Sequence, residues 1–150
     1  MSARSLSHLC AAAALAAAVI SGCGEKEEPP VQPSPATEND VLADITGAWE
    51  GVLEQKGLKP FQARAVIRSP EDSRQSTVQY TGIDCSGTWT VMDVKGETVN
   101  FLERIDSGEG GECEGTGRVE ITPEPGEERL AYEFRGGGVE SSGTLHRVDE

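Results

Sequence analysis

The sequence predicts an all-β domain, an antiparallel meander of about eight strands that closes as a small barrel or folds into a sandwich, pinned by one disulfide. Three observations predict it. Across residues 45–150 apolar side chains recur with a period of two, the mark of strands buried on one face. Turn residues interrupt that pattern at short intervals. No stretch of about ten residues there carries a helical stripe. A chain of 150 residues has room for one such domain, with the N-terminal part left for other tasks.

The first element, residues 1–22, has the three parts of an export signal. Arg4, with His8 near it, forms a short basic start. Residues 9–20 are an uncharged apolar run, and Ser21-Gly22 provides small residues at a cleavage point. The run is about a dozen residues, whereas a bilayer-spanning helix needs about 20. It is followed by Glu25, Glu27 and Glu28 rather than by basic stop-transfer residues. Cys10 lies inside this run and is removed with it.

Ile20-Ser21-Gly22-Cys23 resembles the lipobox of bacterial lipoproteins, an aliphatic residue, two small ones and a cysteine. The resemblance implies that Cys23 Sγ receives a diacylglyceryl group and that a dedicated peptidase cuts between Gly22 and Cys23. It also implies that the new amino group is open to acylation. A cysteine suits this chemistry because a thiolate is nucleophilic enough to form the thioether near neutral pH. One myristoyl-length chain holds a protein only marginally, but two or more (palmitate-type chains here) make anchoring stable. The expected location is the extracytoplasmic face of a cell membrane, with the lipid on Cys23 as the membrane contact.

Residues 24–44 carry Pro29, Pro30, Pro33 and Pro35 and almost nothing large and apolar. They read as a disordered, partly polyproline-like tether, with Val41-Leu42-Ala43 as a short turn into the domain. Such a spacer reaches about 25 Å as a coil and roughly 65 Å fully extended.

The strands follow in order. Phe61, Ala63, Ala65 and Ile67 alternate with Gln62, Arg64, Val66 and Arg68, and comparable runs occupy residues 49–55, 77–83, 88–94, 98–105, 117–122, 129–135 and 139–147. Turn signals separate them at Lys56-Gly57, Ser69-Pro70-Glu71-Asp72, Lys95-Gly96, Pro123-Glu124-Pro125-Gly126 and Gly136-Gly137-Gly138. With only 3 Phe, 2 Tyr and 2 Trp in the chain, the expected core is thin. Cys85 and Cys113, an even pair in an exported domain, read as a disulfide rather than as two free thiols. It is worth roughly 3–4 kcal/mol on the chain-entropy account.

Two weaker resemblances cover the domain. Gly47-x-Trp49-x-Gly51, Tyr80-Thr81-Gly82-Ile83-Asp84-Cys85-Ser86-Gly87-Thr88, Glu103-Arg104-Ile105, Cys113, Tyr132-x-Phe134 and Ser142-Gly143-Thr144-Leu145-x-Arg147 follow one another in order. Together they resemble a β-rich extracytoplasmic module of actinobacterial secreted and lipid-anchored proteins, also found at the outer end of some membrane serine/threonine kinases. That resemblance implies an all-β fold and a Cys–Cys staple, and no functional residues. Gly47-x-Trp49 is also similar to the opening strand of lipocalin-like barrels, in which a tryptophan packs beneath a late arginine. Arg147 is the residue placed for that role, by a cation–π contact worth about 0.5–2 kcal/mol.

Charge narrows the partners. All 26 Asp and Glu lie after Cys23, and the net charge is −13. That surface opposes nucleic acid and basic-patch docking on anionic lipid. His146 is the sole histidine after Cys23 and reads as an exposed strand residue; no histidine-based triad, Gly-x-Ser-x-Gly elbow or phosphate loop is present. Asp106, Glu109 and Glu112 alternate with glycines in a manner suited to Ca²⁺, but the spacing is not that of an EF-hand, and an acidic hairpin loop pinned by Cys113 is the plainer reading. No cofactor or metal is expected.

Three functions remain. The first is a non-enzymatic envelope module that binds an envelope protein or a small molecule. The second is a lipocalin-like carrier of an apolar ligand, its interior lined by Trp49, Phe61, Ile67, Trp89, Phe101 and Tyr132. The third is a carboxylate-dependent hydrolase of wall polymers, which needs two acids about 5–9.5 Å apart in a cleft.

Overall fold

A computed structural model of the chain describes residues 36–108, 113, 115–126 and 128–149. Gly22, Cys23 and most of the tether lie outside the described residues, as do Glu109 and Glu112.

Eight antiparallel strands follow a short helix, α1 (Glu38–Ile45). They are β1 (Gly47–Gln55), β2 (Phe61–Ile67), β3 (Ser76–Thr81), β4 (Cys85–Lys95), β5 (Thr98–Ser107), β6 (Thr116–Pro123), β7 (Arg129–Gly136) and β8 (Val139–Val148). Each pairs with its sequence neighbours, and β1 pairs with β8 from Ala48↔Val148 to Gln55↔Ser141. The sheet is therefore a closed barrel, not a sandwich. Closure leaves no strand edge unpaired, which removes the template for edge-to-edge aggregation.

The period-two pattern sets the walls. Along β2, Phe61, Ala63, Ala65 and Ile67 face inward; along β5, Val99, Phe101, Glu103 and Ile105 do so. Close strand approach depends on missing side chains. A Cβ on Gly51 would lie 2.0 Å from the Thr144 carbonyl oxygen of β8, and one on Gly117 would lie 2.1 Å from Phe134 Cε2. Inside, Trp89 packs against Phe101 (centroids 5.4 Å apart) and stacks on Tyr132 (6.1 Å). Cys85 and Cys113 form the expected disulfide, with a Cα–Cα distance of 6.5 Å.

The start of the domain differs from the sequence reading. The boundary read at 44/45 falls within a folded element: Thr37 caps α1, and Val41, Leu42 and Ile45 are buried. Thr37 and Asp40 form a capping box, with Thr37 N–H donating to Asp40 Oδ2 at 2.9 Å and Asp40 N–H donating to Thr37 Oγ1 at 3.3 Å. These bonds hold the Asp40 carboxyl below its ordinary value. Burial of three aliphatic residues, which a solvated tether leaves exposed, offsets the ordering entropy of so short a helix.

Candidate functional site

The two barrel ends are built differently. At one, α1 packs beside the start of β5 and Trp49. Trp49 Nε1 donates to the Ile45 carbonyl at 2.8 Å. From β8, Arg147 donates through Nη1 to Thr46 O at 2.9 Å and through Nη2 to Asp44 O at 2.8 Å. Its guanidinium carbon sits 4.2 Å from the Trp49 ring centroid. The last turn of α1 contains no basic residue, so Arg147 supplies from another strand the positive charge and the donors that the helix C-terminus lacks. Gly47 makes the space: its φ is +136°, and a Cβ there would lie 2.6 Å from Arg147 Nη1. The Trp49–Arg147 contact expected from the lipocalin-like resemblance is thus present, as part of the closure of this end.

The opposite end carries the β1–β2, β3–β4, β5–β6 and β7–β8 connections. Beneath it lies a polar cluster inside the barrel. Glu103, 3% exposed, accepts from Trp89 Nε1 at 2.7 Å and from Tyr80 Oη at 2.5 Å, both on Oε2. The Tyr80 proton is committed to the carboxylate, so the 3.0 Å contact between the two tyrosine oxygens makes Tyr132 the donor to Tyr80. Ser141 lies within hydrogen-bonding reach of Tyr132 in turn. The chain runs Ser141, Tyr132, Tyr80, Glu103, with each bond polarising the next.

Burial raises the Glu103 carboxyl above its ordinary value of 4.5, opposed by its bonds from Tyr80 and Trp89. Burial likewise pushes both phenols far above their ordinary range, so each stays a protonated donor. Among the described residues lining the adjoining cavity, Glu103 is the one carboxylate and there is no cationic side chain.

That cavity holds about 30 Å³ and is walled by Gln55, Phe61, Tyr80, Phe134 and Ser141 among others. A cleft of about 570 Å³ lies on the rim between the β1–β2 and β7–β8 turns. Gln55, Phe134 and Ser141 line both spaces and so form the partition between them.

The residues expected to line a ligand space separate into three groups. Phe61 and Tyr132 line the cavity; Trp89 bonds its carboxylate; Trp49, Ile67 and Phe101 are fully packed in the core. His146 is exposed on β8, opposite Glu50 and Arg129 in the neighbouring strands. Asp106 is exposed near the end of β5. Sequence reasoning did not single out Glu103 as a site residue. Its signal was available: an acid on the apolar phase of a strand, between Phe101 and Ile105.

No protein-family model matches the chain, and no curated protein matches it in sequence.

Proposed function

We propose that this chain is an extracytoplasmic lipoprotein whose β-barrel is a binding module, held at the membrane by acyl chains on Cys23. The observation that carries the reading is the succession of a basic start, an apolar run too short to span a bilayer, Ile20-Ser21-Gly22-Cys23, and an acidic proline-rich stretch. The barrel supports the binding half, because it places one uncompensated carboxylate and a chain of hydroxyls beside a cavity and a cleft at the end away from α1.

The test is lipid incorporation. Cells fed a clickable palmitate analogue are expected to label the wild-type chain and not Cys23→Ser, and the variant is expected to leave the membrane fraction uncleaved. Unchanged processing and membrane retention in Cys23→Ser would remove the basis of the reading.

A second reading, a lipocalin-like carrier, draws support from the closed eight-stranded meander and the Trp49–Arg147 contact. Against an apolar ligand stands the volume: about 30 Å³ inside the barrel, compared with the roughly 300 Å³ or more of small-molecule sites. The interior chemistry favours a polar ligand instead.

A further inference from the structure

Glu103 occupies a position that the strand pattern assigns to an aliphatic side chain. Burying a carboxylate is costly unless it is paired, and among the described residues lining its cavity none is cationic. Both bonds that Glu103 accepts from described residues fall on Oε2, leaving Oε1 without a described donor beside the cavity.

We propose that this cavity and the neighbouring rim cleft form a binding site for a small primary-amine ligand, its ammonium group paired with Glu103 and the rest of the molecule lying in the cleft. The inference rests on the binding-module reading and names the chemistry of its site.

Four features agree with an ammonium head. The cavity volume of about 30 Å³ matches a group the size of a water molecule or slightly larger. Its walls offer acceptors for three N–H donors: Glu103 itself, the oxygens of Tyr132 and Ser141, and the Gln55 amide oxygen. Phe61 and Phe134 add aromatic surface, which attracts a cation placed over a ring face. In the cleft, Glu54, Glu133 and Glu140 outnumber Lys56 and Arg135, so the approach is acidic. An anionic ligand meets repulsion at both levels. Passage between cleft and cavity requires displacement of Gln55, Phe134 or Ser141, the residues shared by the two spaces.

Binding is coupled to the proton on Glu103, because the ammonium pairs with the carboxylate and not with the acid. The described groups that line the cavity from other strands are Gln55 on β1, Phe61 on β2, Tyr80 on β3, Phe134 and Tyr132 on β7, and Ser141 on β8. Of these only the tyrosines titrate, and burial keeps both protonated. Gly117 on β6 and Trp89 on β4 pair with Glu103 across the sheet and carry no charge.

The experiment titrates methylammonium chloride into the full-length chain in mild detergent while following the Trp89 indole N–H resonance, with tetramethylammonium as an oversized control. The expected result is a saturable shift with methylammonium alone. Affinity is expected to rise with pH by up to about tenfold per unit until Glu103 is ionised. In Glu103→Gln the affinity is expected to fall about tenfold or more. Ser141→Val, which keeps the charge and removes one acceptor, is expected to weaken binding severalfold and serves if Glu103→Gln does not fold. A shift that fails to saturate, or that is unchanged in the folded variants, overturns the site. That outcome leaves Cys23-dependent lipidation intact, whereas loss of lipidation with a normal methylammonium response refutes the anchor alone.

Discussion

Glu103 gives the domain an inverted acid response. Most structural carboxylates are held below their ordinary value in the folded state and favour folding at neutral pH; burial places Glu103 above its ordinary 4.5. A raised carboxyl binds its proton more tightly in the folded chain than in the unfolded one. Its contribution is therefore fully present below about pH 4.5 and declines as pH rises towards the folded-state value. Urea midpoints across pH 4–8 are expected to show this decline in wild type and its loss in Glu103→Gln. Gly117 provides a second residue-scale test. Gly117→Ala is expected to cost about 1–3 kcal/mol through overpacking against Phe134, and Phe134→Leu in the same chain is expected to recover most of it in a double-mutant denaturation cycle. Both residues illustrate what a single chain of letters conceals. The inward phase of β5 was legible, so Glu103 was visibly an acid among apolar neighbours. That Tyr80, Trp89 and Tyr132 converge on it follows from barrel closure, which brings together side chains up to 52 positions apart.

At the scale of the element, the strands were legible and the helix was not. The eight runs with alternating burial were each located to within a few residues, because a half-buried strand writes its period directly into the sequence. The largest difference is at β4, which begins at Cys85 rather than at 88. Helix α1 has 8 residues, too few for a helical stripe to show, and it adjoins a proline-rich segment. Its one local signature was Thr37-x-x-Asp40, a capping box with Asp where Glu or Gln is usual. The rest of its stability comes from the barrel. Replacement of Arg147 by Met removes two charge-assisted hydrogen bonds and the contact over Trp49, an expected loss of about 2–4 kcal/mol. Amide exchange at Leu42–Ile45 is expected to accelerate more than exchange in β6 or β7, because undocking of α1 precedes opening of the barrel.

For the molecule as a whole, the disulfide compensates for a core with few aromatic side chains. Cys85 and Cys113 lie 28 residues apart in sequence, and the bond ties the start of β4 to the connection between β5 and β6. Reduction, or the paired change of both cysteines to alanine, is expected to lower stability by roughly 3–4 kcal/mol. That is a large part of the 5–15 kcal/mol typical of a domain, and a thermal melt with and without reductant measures it. Barrel and sandwich were not separable from the sequence, because both use the same alternation and the same turns. The deciding fact is the long-range β1–β8 pairing.

The docking of α1 onto the barrel through Arg147 and Trp49 also has a mechanical meaning. A pull entering from the N-terminal side reaches α1 before it reaches any strand, and it is resisted there by a few hydrogen bonds and three aliphatic side chains. The helix is expected to peel away at low force and lengthen the leash by several residues of extended chain, while the hydrogen-bonded staves behind it stay shut. The domain thus carries a small shock absorber at the point where its mooring line would be made fast.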